Sequence, residues 1–281
     1  MRRPLVDANW LRRNFDDPDL VILDGSPESN KADMAVRHPG VRISGARFFD
    51  LKTRFSDQAS DLPNMIPAPD AFTEGCQALG INAASKIVVY DNLDLYASPR
   101  VWWMFRVMGH ANVAVLDGGL NAWIASGGAT EVISERSYER GDFTAAYDAA
   151  AVKDAAQIFA NIEAEAFSVI DARSAGRFNA EVPEPRPNSR SGRIPGSSNL
   201  PFGALCKDGK FLPKAALKAR FDKLNLGGDP LVFSCGSGMT ACIGLLAAAL
   251  VLENDLALYD GSWSEWGASE WGAENTDWPV A

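Results

Sequence analysis

The feature that most constrains this chain is an internal repeat, because four short segments of its first half recur in the same order in its second half. The offset between matched positions stays between 143 and 151 residues, as small loop insertions would produce. Solenoid units are only about 20 to 50 residues long, so a repeat of this length indicates two similar domains. The matched positions are Asp24 and Asp171, Arg42 and Arg193, Asp91 and Cys235, and Asp117 and Asp260.

Each half alternates short apolar runs with longer amphipathic segments. Continuously apolar strands separated by helices are typical of a parallel sheet covered on both faces. We therefore expect the α/β fold class twice, as tandem domains that each have helices on both faces of a parallel sheet. The strands are predicted at residues 20–24, 86–90, 113–116, 167–171, 230–234 and 256–259, and the helices at 69–79, 98–108, 213–224 and 240–252.

The domains are predicted to be residues 1–127 and 151–281, joined by a linker at 128–150. The linker begins next to Gly127 and Gly128, carries scattered charges and lacks a sustained apolar period, as expected of a domain boundary.

The composition excludes several classes of protein. The formal charge is −9 and no stretch is rich in Lys and Arg, which argues against a nucleic-acid or membrane-surface protein. The longest apolar run spans residues 241–252, whereas a membrane span needs roughly 20 residues. No apolar segment follows the N-terminal arginines to form a secretory signal. Four dispersed cysteines and two histidines favour neither a disulfide framework nor a zinc site, so we expect a metal-free cytoplasmic protein with free thiols.

The strongest local signal for chemistry is LVFSCGSGMTA at residues 231–241. A buried strand is followed at once by Cys235, then by a glycine-rich turn and an apolar helix. Ligands of open α/β sheets bind at the carboxyl ends of strands. Gly236 and Gly238 allow the backbone to curl so that successive amide N–H groups point inward, and such a nest favours an anion. We therefore predict that Cys235 is held as a reactive thiolate that is open to solvent.

The remaining cysteines are predicted to be structural. Cys76 and Cys242 lie in helical patterns and Cys206 lies in a loop, and a free cysteine is most often a small buried hydrophobe. The position of the first half that matches Cys235 is Asp91, and an aspartate is not a soft nucleophile. One active domain and one catalytically silent domain is the simplest account of the repeat.

The cysteine loop, the segments DGGLNAW at 117–123 and DGSWSEW at 260–266, and the tandem halves resemble the rhodanese family of two-domain sulfurtransferases. The resemblance runs from about residue 6 to about residue 268. The loop CGSGMT at 235–240 is similar to the CGSGVT loop of 3-mercaptopyruvate sulfurtransferases. Thiosulfate sulfurtransferases typically carry an Arg-Lys pair after the cysteine, where this chain has Gly236 and Ser237.

The resemblance implies a mechanism. Arg177 and Arg186 would hold the carboxylate and keto group of 3-mercaptopyruvate, Cys235 would take its sulfur as a persulfide, and pyruvate would leave. A thiol, cyanide or a reduced thioredoxin-like protein would accept the sulfur, and neither a metal nor an organic cofactor is needed. Hydroxyl groups and main-chain amides of the loop would stabilise the anionic species. The implied catalytic residues are Cys235, Ser237 and Thr240, and the implied substrate-binding residues are Arg177, Arg186, Gly236, Gly238 and Met239.

Two positions depart from the family's pattern. The first domain of the family usually reads Phe-Phe-Asp-x-Asp and then Pro-His-Met-Leu-Pro, and this chain has Lys52 in place of the second aspartate and Asn64 in place of the histidine. Both positions are expected to face the active cysteine across the domain cleft. Their exchange leaves open a changed substrate or protonation by water and hydroxyl groups.

Three other functions fit parts of the sequence. Thiosulfate as the sulfur donor is the nearest alternative. A phosphatase is disfavoured, because no arginine lies between Cys235 and Leu252 to hold a phosphate. A sulfur carrier with little turnover of its own fits the presence of Lys52 and Asn64.

Overall fold

The structure is a computed structural model that describes residues 3–27, 34–268 and 278–281. The chain forms two compact units. Unit 1 consists of Met1–Gln58, Ile66–Asp148 and Asp208–Phe211, and unit 2 consists of Ala59–Met65, Ala149–Lys207 and Leu212–Ala281.

Unit 1 is built on a parallel sheet. Its strands are β1 (Leu5–Val6), β2 (Leu20–Asp24), β3 (Val41–Ile43), β4 (Arg47–Phe48), β5 (Lys86–Tyr90), β6 (Val113–Leu116) and β7 (Thr130–Val132), and its helices are α1 (Ala8–Arg13), α2 (Pro69–Ala78), α3 (Ser98–Val107) and α4 (Gly119–Ala125). The sheet has the strand order β1-β6-β5-β2-β4 with every neighbouring pair parallel. β3 pairs with β7 in a separate antiparallel ribbon.

Unit 2 repeats this plan. Its strands are β8 (Val152–Lys153), β9 (Ser168–Asp171), β10 (Ser198–Asn199), β11 (Cys206–Lys207), β13 (Leu231–Ser234) and β14 (Leu256–Tyr259). The intervening strand β12 (Lys210–Phe211) belongs to unit 1. Its helices are α5 (Ala155–Ala164), α6 (Ala175–Phe178), α7 (Lys214–Asp222), α8 (Ala241–Val251) and α9 (Ser262–Trp266), with short 3-10 helices at Ala149–Ala151 and Phe202–Ala204. The sheet has the strand order β8-β14-β13-β9-β10, which corresponds strand for strand to β1-β6-β5-β2-β4 of unit 1. All its neighbouring pairs are parallel.

Apolar side chains of the central strands alternate between the two faces of each sheet, and helices cover both faces. In unit 1, Val88 packs in a cluster with Leu11 of α1 and Trp123 of α4. Aromatic rings of α2 and α3, including Phe72 and Phe105, form a second cluster. The tandem α/β architecture predicted from the sequence is therefore confirmed.

Most of the predicted linker at 128–150 is packed on unit 1. β7 lies within it, and the Phe143 ring is 2% exposed. The main-chain N–H of Phe143 bonds Ile81 O, and that of Ala146 bonds Met108 O. A buried ring and these main-chain bonds tie the segment to the domain as far as Asp148.

No helix within the described parts of the chain is both long enough and apolar enough to cross a bilayer.

Candidate active site

Cys235 lies directly after the central strand β13 and before helix α8, in the loop 235–240. Parallel strands present their carboxyl ends at one edge of the sheet, so the fold places this loop where α/β proteins bind ligands. Cys235 is 2% exposed, and the prediction of a sulfur open to solvent is therefore wrong. The half-buried Gly236 and Thr240 show where the loop meets the surface.

The amide groups of this loop form the nest that the glycines predict. Gly238 has φ +72°, a left-handed conformation that glycine adopts readily. Within the described part of the chain, five successive or near-successive amide N–H groups have no hydrogen-bond partner. A run of main-chain N–H groups without protein partners around a curled loop is typical of a site for an anion. The five amides are those of Gly236, Ser237, Met239, Thr240 and Ala241.

Ser262 ties down the two other amides of the loop. Its Oγ accepts hydrogen bonds from the N–H groups of Cys235 at 3.2 Å and Gly238 at 3.1 Å, and it donates to Tyr259 O at 2.8 Å. Ser262 is 0% exposed. The hydroxyl thus fixes the beginning and the middle of the loop and leaves the remaining amides available.

The matching loop of unit 1 shows what such a nest holds. Asp91 is 0% exposed, and its carboxylate accepts the N–H groups of Leu93 at 2.8 Å, Ala97 at 3.0 Å and Ser98 at 2.7 Å. The Ser98 hydroxyl donates to the same carboxylate at 2.6 Å. Counted from Asp91 and from Cys235, Leu93 and Ala97 correspond to Ser237 and Ala241, whose amides are unpartnered. In unit 1, therefore, a side-chain anion occupies the position that is available in unit 2.

Two guanidinium groups lie beside the cysteine loop. Arg186 Nη2 donates to Ser237 Oγ at 3.0 Å, and Arg186 Nη1 lies 3.4 Å from Gly236 O. A Cβ at Gly236 would lie 3.1 Å from Arg177 Nη2 and 3.4 Å from Arg186 Nη1. Both arginines approach Gly236 closely, so the loop and the predicted carboxylate ligands come together.

Glu184 sets the charge of this arginine pair. Its side chain is 2% exposed and binds Arg177 through both oxygens. It also accepts Arg173 Nη1 at 2.8 Å, and Arg173 is held by Asp171 and lies 4.0 Å over the Trp263 ring. The charge of Arg177, one of the two site arginines, is thus offset by Glu184.

The two positions that depart from the family's pattern have different surroundings. Asn64 belongs to unit 2, where its Nδ2 donates to Ser237 O at 3.1 Å and to Ser237 Oγ at 3.0 Å. Lys52 is an exposed residue of unit 1. Asn64 therefore contacts the cysteine loop directly.

Two predicted site residues lie at the start of α8. Thr240 occupies the N-cap position of the helix, but its side chain makes no capping bond. Met239 is 7% exposed. The Thr240 hydroxyl is therefore not used as a helix cap.

Three residues of the site were not predicted from the sequence, namely Ser262, Glu184 and Arg173. Ser262 could have been found from the repeat, because it matches Gly119 and the two residues have φ +52° and +53°. Glu184 is two positions from Arg186, but nothing in that spacing shows that it pairs with Arg177.

The sequence profile of the rhodanese-like domain matches this chain twice, over residues 7–126 and 154–269. The chain belongs to the rhodanese family. This rhodanese is 39% identical over 272 residues to the 3-mercaptopyruvate sulfurtransferase of Escherichia coli K12, with 94% of each chain covered. It is 38% identical over 276 residues to the thiosulfate sulfurtransferase of Cricetulus griseus, covering 94% of this chain and 92% of that one.

The fold also agrees with a solved structure. The crystal structure of SseA from Escherichia coli, described as a 3-mercaptopyruvate sulfotransferase, superposes with a TM-score of 0.81 at 36% identity and covers 94% of this chain and 100% of that chain. The chain is thus a sulfurtransferase of the rhodanese family. Because relatives named for different donors are almost equally similar, the choice of donor has to be argued from the site itself.

Proposed function

We propose that this chain transfers the sulfane sulfur of 3-mercaptopyruvate to a thiol or cyanide acceptor through a persulfide on Cys235 and releases pyruvate. The observation that carries the proposal is the row of unpartnered amides around Cys235, because two of them, those of Ser237 and Ala241, have counterparts in unit 1 that hold the Asp91 carboxylate. Such amides stabilise a negatively charged sulfur in the way that an oxyanion hole stabilises oxygen.

The first half-reaction breaks the carbon–sulfur bond of the donor. The Cys235 thiolate attacks the substrate sulfur and forms an S–S bond, while the electron pair of the C–S bond passes to carbon. The enolate of pyruvate that results takes up one proton, which the donor's own thiol group or water supplies. A covalent intermediate of this kind divides one difficult transfer into two easier ones.

The arginines favour a donor with a single carboxylate. Arg186 offers a planar fork suited to a carboxylate, whereas Glu184 already occupies two donors of Arg177. Thiosulfate is a dianion and carries one more negative charge than the carboxylate of 3-mercaptopyruvate, whereas Glu184 already offsets the charge of Arg177. Gly236 and Ser237, in place of a basic pair, point in the same direction.

The second half-reaction returns the thiolate. A thiol acceptor, such as a reduced thioredoxin-like protein, or cyanide attacks the outer sulfur, and Cys235 leaves with the electron pair of the S–S bond. In this proposal residues 151–281 carry the chemistry, with Thr240 and Ser237 as hydroxyl donors and Gly236, Gly238 and Met239 lining the nest, while residues 1–127 are catalytically silent. The four free cysteines suit a reducing compartment such as the cytoplasm.

Intact-mass analysis after exposure to 3-mercaptopyruvate tests the intermediate. We expect a gain of one sulfur atom per chain that maps to Cys235 and is lost on addition of cyanide. Cys242→Ser is the matched control, because Cys242 lies in the same segment and donates to Gly238 O at 3.3 Å. A gain that persists in Cys235→Ser refutes the assignment of the nucleophile.

Steady-state release of pyruvate tests the donor. The ratio kcat/KM is expected to be higher for 3-mercaptopyruvate than for thiosulfate, and Arg186→Ala is expected to raise KM for 3-mercaptopyruvate strongly. A preference for thiosulfate supports the thiosulfate alternative. A sulfur that reaches Cys235 from a partner protein but not from 3-mercaptopyruvate supports a carrier.

A further inference from the structure

Two side chains direct hydrogen bonds at a single hydroxyl next to the reactive cysteine. Asn64 Nδ2 and Arg186 Nη2 each lie 3.0 Å from Ser237 Oγ. Ser237 is 7% exposed and follows Cys235 by two positions in the same loop. The direction of these bonds decides what the hydroxyl can do for the reaction.

Both contacts are donations to Ser237. Asn64 Nδ2 also lies 3.1 Å from the main-chain oxygen of Ser237, which can only accept a hydrogen bond. The nitrogen of the Asn64 amide, and not its oxygen, therefore faces Ser237. The guanidinium of Arg186 carries donors and no acceptor.

The Ser237 hydroxyl is consequently left with one role. A hydroxyl oxygen has two acceptor sites and one hydrogen, and the two nitrogen donors take both acceptor sites. Throughout the described ranges, no protein group accepts the Ser237 hydrogen. Arg186 donates to Ser237, whereas Arg177 approaches Gly236 and is paired with Glu184, and among the described contacts Glu184 is not bonded to the hydroxyl.

We propose that Asn64 is a positioning residue that, together with Arg186, holds Ser237 as a fixed hydrogen-bond donor to the anionic sulfur at Cys235. It follows that Ser237 passes its proton to no protein base, and that the proton taken up by the leaving carbon comes from the donor's thiol or from water. The inference deepens the proposed function of the same site, since it names how the loop stabilises the thiolate and the persulfide.

The variant Asn64→Asp reverses the direction of the bond. It has nearly the same shape, but its ionised carboxylate only accepts hydrogen bonds, so it draws the Ser237 hydrogen away from the sulfur. We expect kcat to fall by about tenfold to a hundredfold with little change in KM, as for the loss of a hydrogen bond to a charged group. The pH midpoint for alkylation of Cys235 by iodoacetamide is expected to rise. Asn64→Ala removes the donor but adds no acceptor, so it is expected to lower kcat and to shift the alkylation midpoint less than Asn64→Asp does, and it separates the loss of positioning from the reversal of the bond.

A double-mutant cycle separates this effect from the added negative charge. In a Ser237→Ala background the hydroxyl is absent, so Asn64→Asp is expected to change both kcat and the alkylation midpoint much less than in the wild-type background. Equal effects in the two backgrounds would show that Asn64 does not act through Ser237 and would overturn the inference. Alkylation of Cys235 requires no sulfur donor, so this measurement decides the inference even if 3-mercaptopyruvate proves not to be a substrate.

Discussion

Removal of the Ser262 hydroxyl tests whether the cysteine loop is preorganised for an anion. In Ser262→Ala three hydrogen bonds are lost, namely those from the amides of Cys235 and Gly238 and the one to Tyr259 O. The position is 0% exposed, so the carbonyl of Tyr259 cannot readily bond to water instead. The two amides are free to turn, and the loop loses the conformation that directs its other amides.

The size of the effect follows from this count of bonds. A hydrogen bond contributes about 1 kcal/mol net, so Ser262→Ala is expected to lower the free energy of unfolding by about 3 kcal/mol. Ser262 has φ +52°, and serine and alanine experience a similar strain there. Ser262→Gly loses the same bonds but relieves about 1 kcal/mol of that strain, so a loss of roughly 2 kcal/mol is expected.

Urea unfolding and the rate of pyruvate release together measure the consequence. The matched control is Ser264→Ala in the same helix, which removes a single side-chain bond to Gly236 O and keeps the main-chain bond to that oxygen. We expect Ser262→Ala to be less stable than Ser264→Ala and to lose about tenfold or more in kcat/KM, because misaligned amides no longer stabilise the anionic sulfur. A Ser262→Ala enzyme with the stability and kcat/KM of the Ser264→Ala control would refute the reasoning.

Three further predictions concern charged and titratable groups outside the reacting atoms. Asp91→Asn places an amide nitrogen or a weaker acceptor against the N–H groups of Leu93, Ala97 and Ser98. We expect it to lower the free energy of unfolding, measured in urea, by about 3 kcal/mol. Cys235 is still expected to gain sulfur in mass analysis. Glu184→Gln leaves the buried Arg173 and the half-buried Arg177 without their shared carboxylate, so the free energy of unfolding is expected to fall by about 3 kcal/mol. Because the charge of Arg177 is then no longer offset, kcat/KM for the dianion thiosulfate is expected to rise relative to that for 3-mercaptopyruvate. Burial lowers the pKa of His110 in the folded chain. Below the ordinary histidine pKa of about 6.5, the unfolded chain therefore takes up a proton that the folded chain does not, and the free energy of unfolding decreases as the pH is lowered. In His110→Gln the slope of stability against pH, measured by urea unfolding, is expected to be smaller, and an unchanged slope contradicts the assignment.

The central strands could be predicted from the sequence to the residue at Leu20–Asp24, Lys86–Tyr90, Val113–Leu116 and Leu256–Tyr259. Apolar and β-branched residues dominate these runs because the strands are covered on both faces. The edge strands β4 and β10 were not predicted. They have only two residues each, and Ser198–Asn199 carries no apolar pattern.

The position of the candidate loop in the fold could be predicted from the sequence, but its internal bonding could not. The sequence placed Cys235 after a strand and before a helix, which depends only on local pattern. Its burial depends on the packing of distant segments and could not be inferred from the loop. Asn64 and Ser237 are separated by 173 positions, so their hydrogen bonds arise from the tertiary fold. The same holds for the pairing of Arg177 with Glu184, which requires the proline-containing loop to fold back.

The two halves of the chain meet one structural demand in different ways. A strand that turns through a glycine-rich or irregular loop into a helix leaves several amides without main-chain partners. In unit 1 the carboxylate of Asp91 accepts hydrogen bonds from the amides of Leu93, Ala97 and Ser98. In unit 2 a short thiol at the same position cannot reach around the loop to do so, and the amides keep their capacity for an anion until sulfur arrives. Unit 2 thus retains a local cost in stability that unit 1 has removed, and under the proposed function the reaction depends on that difference.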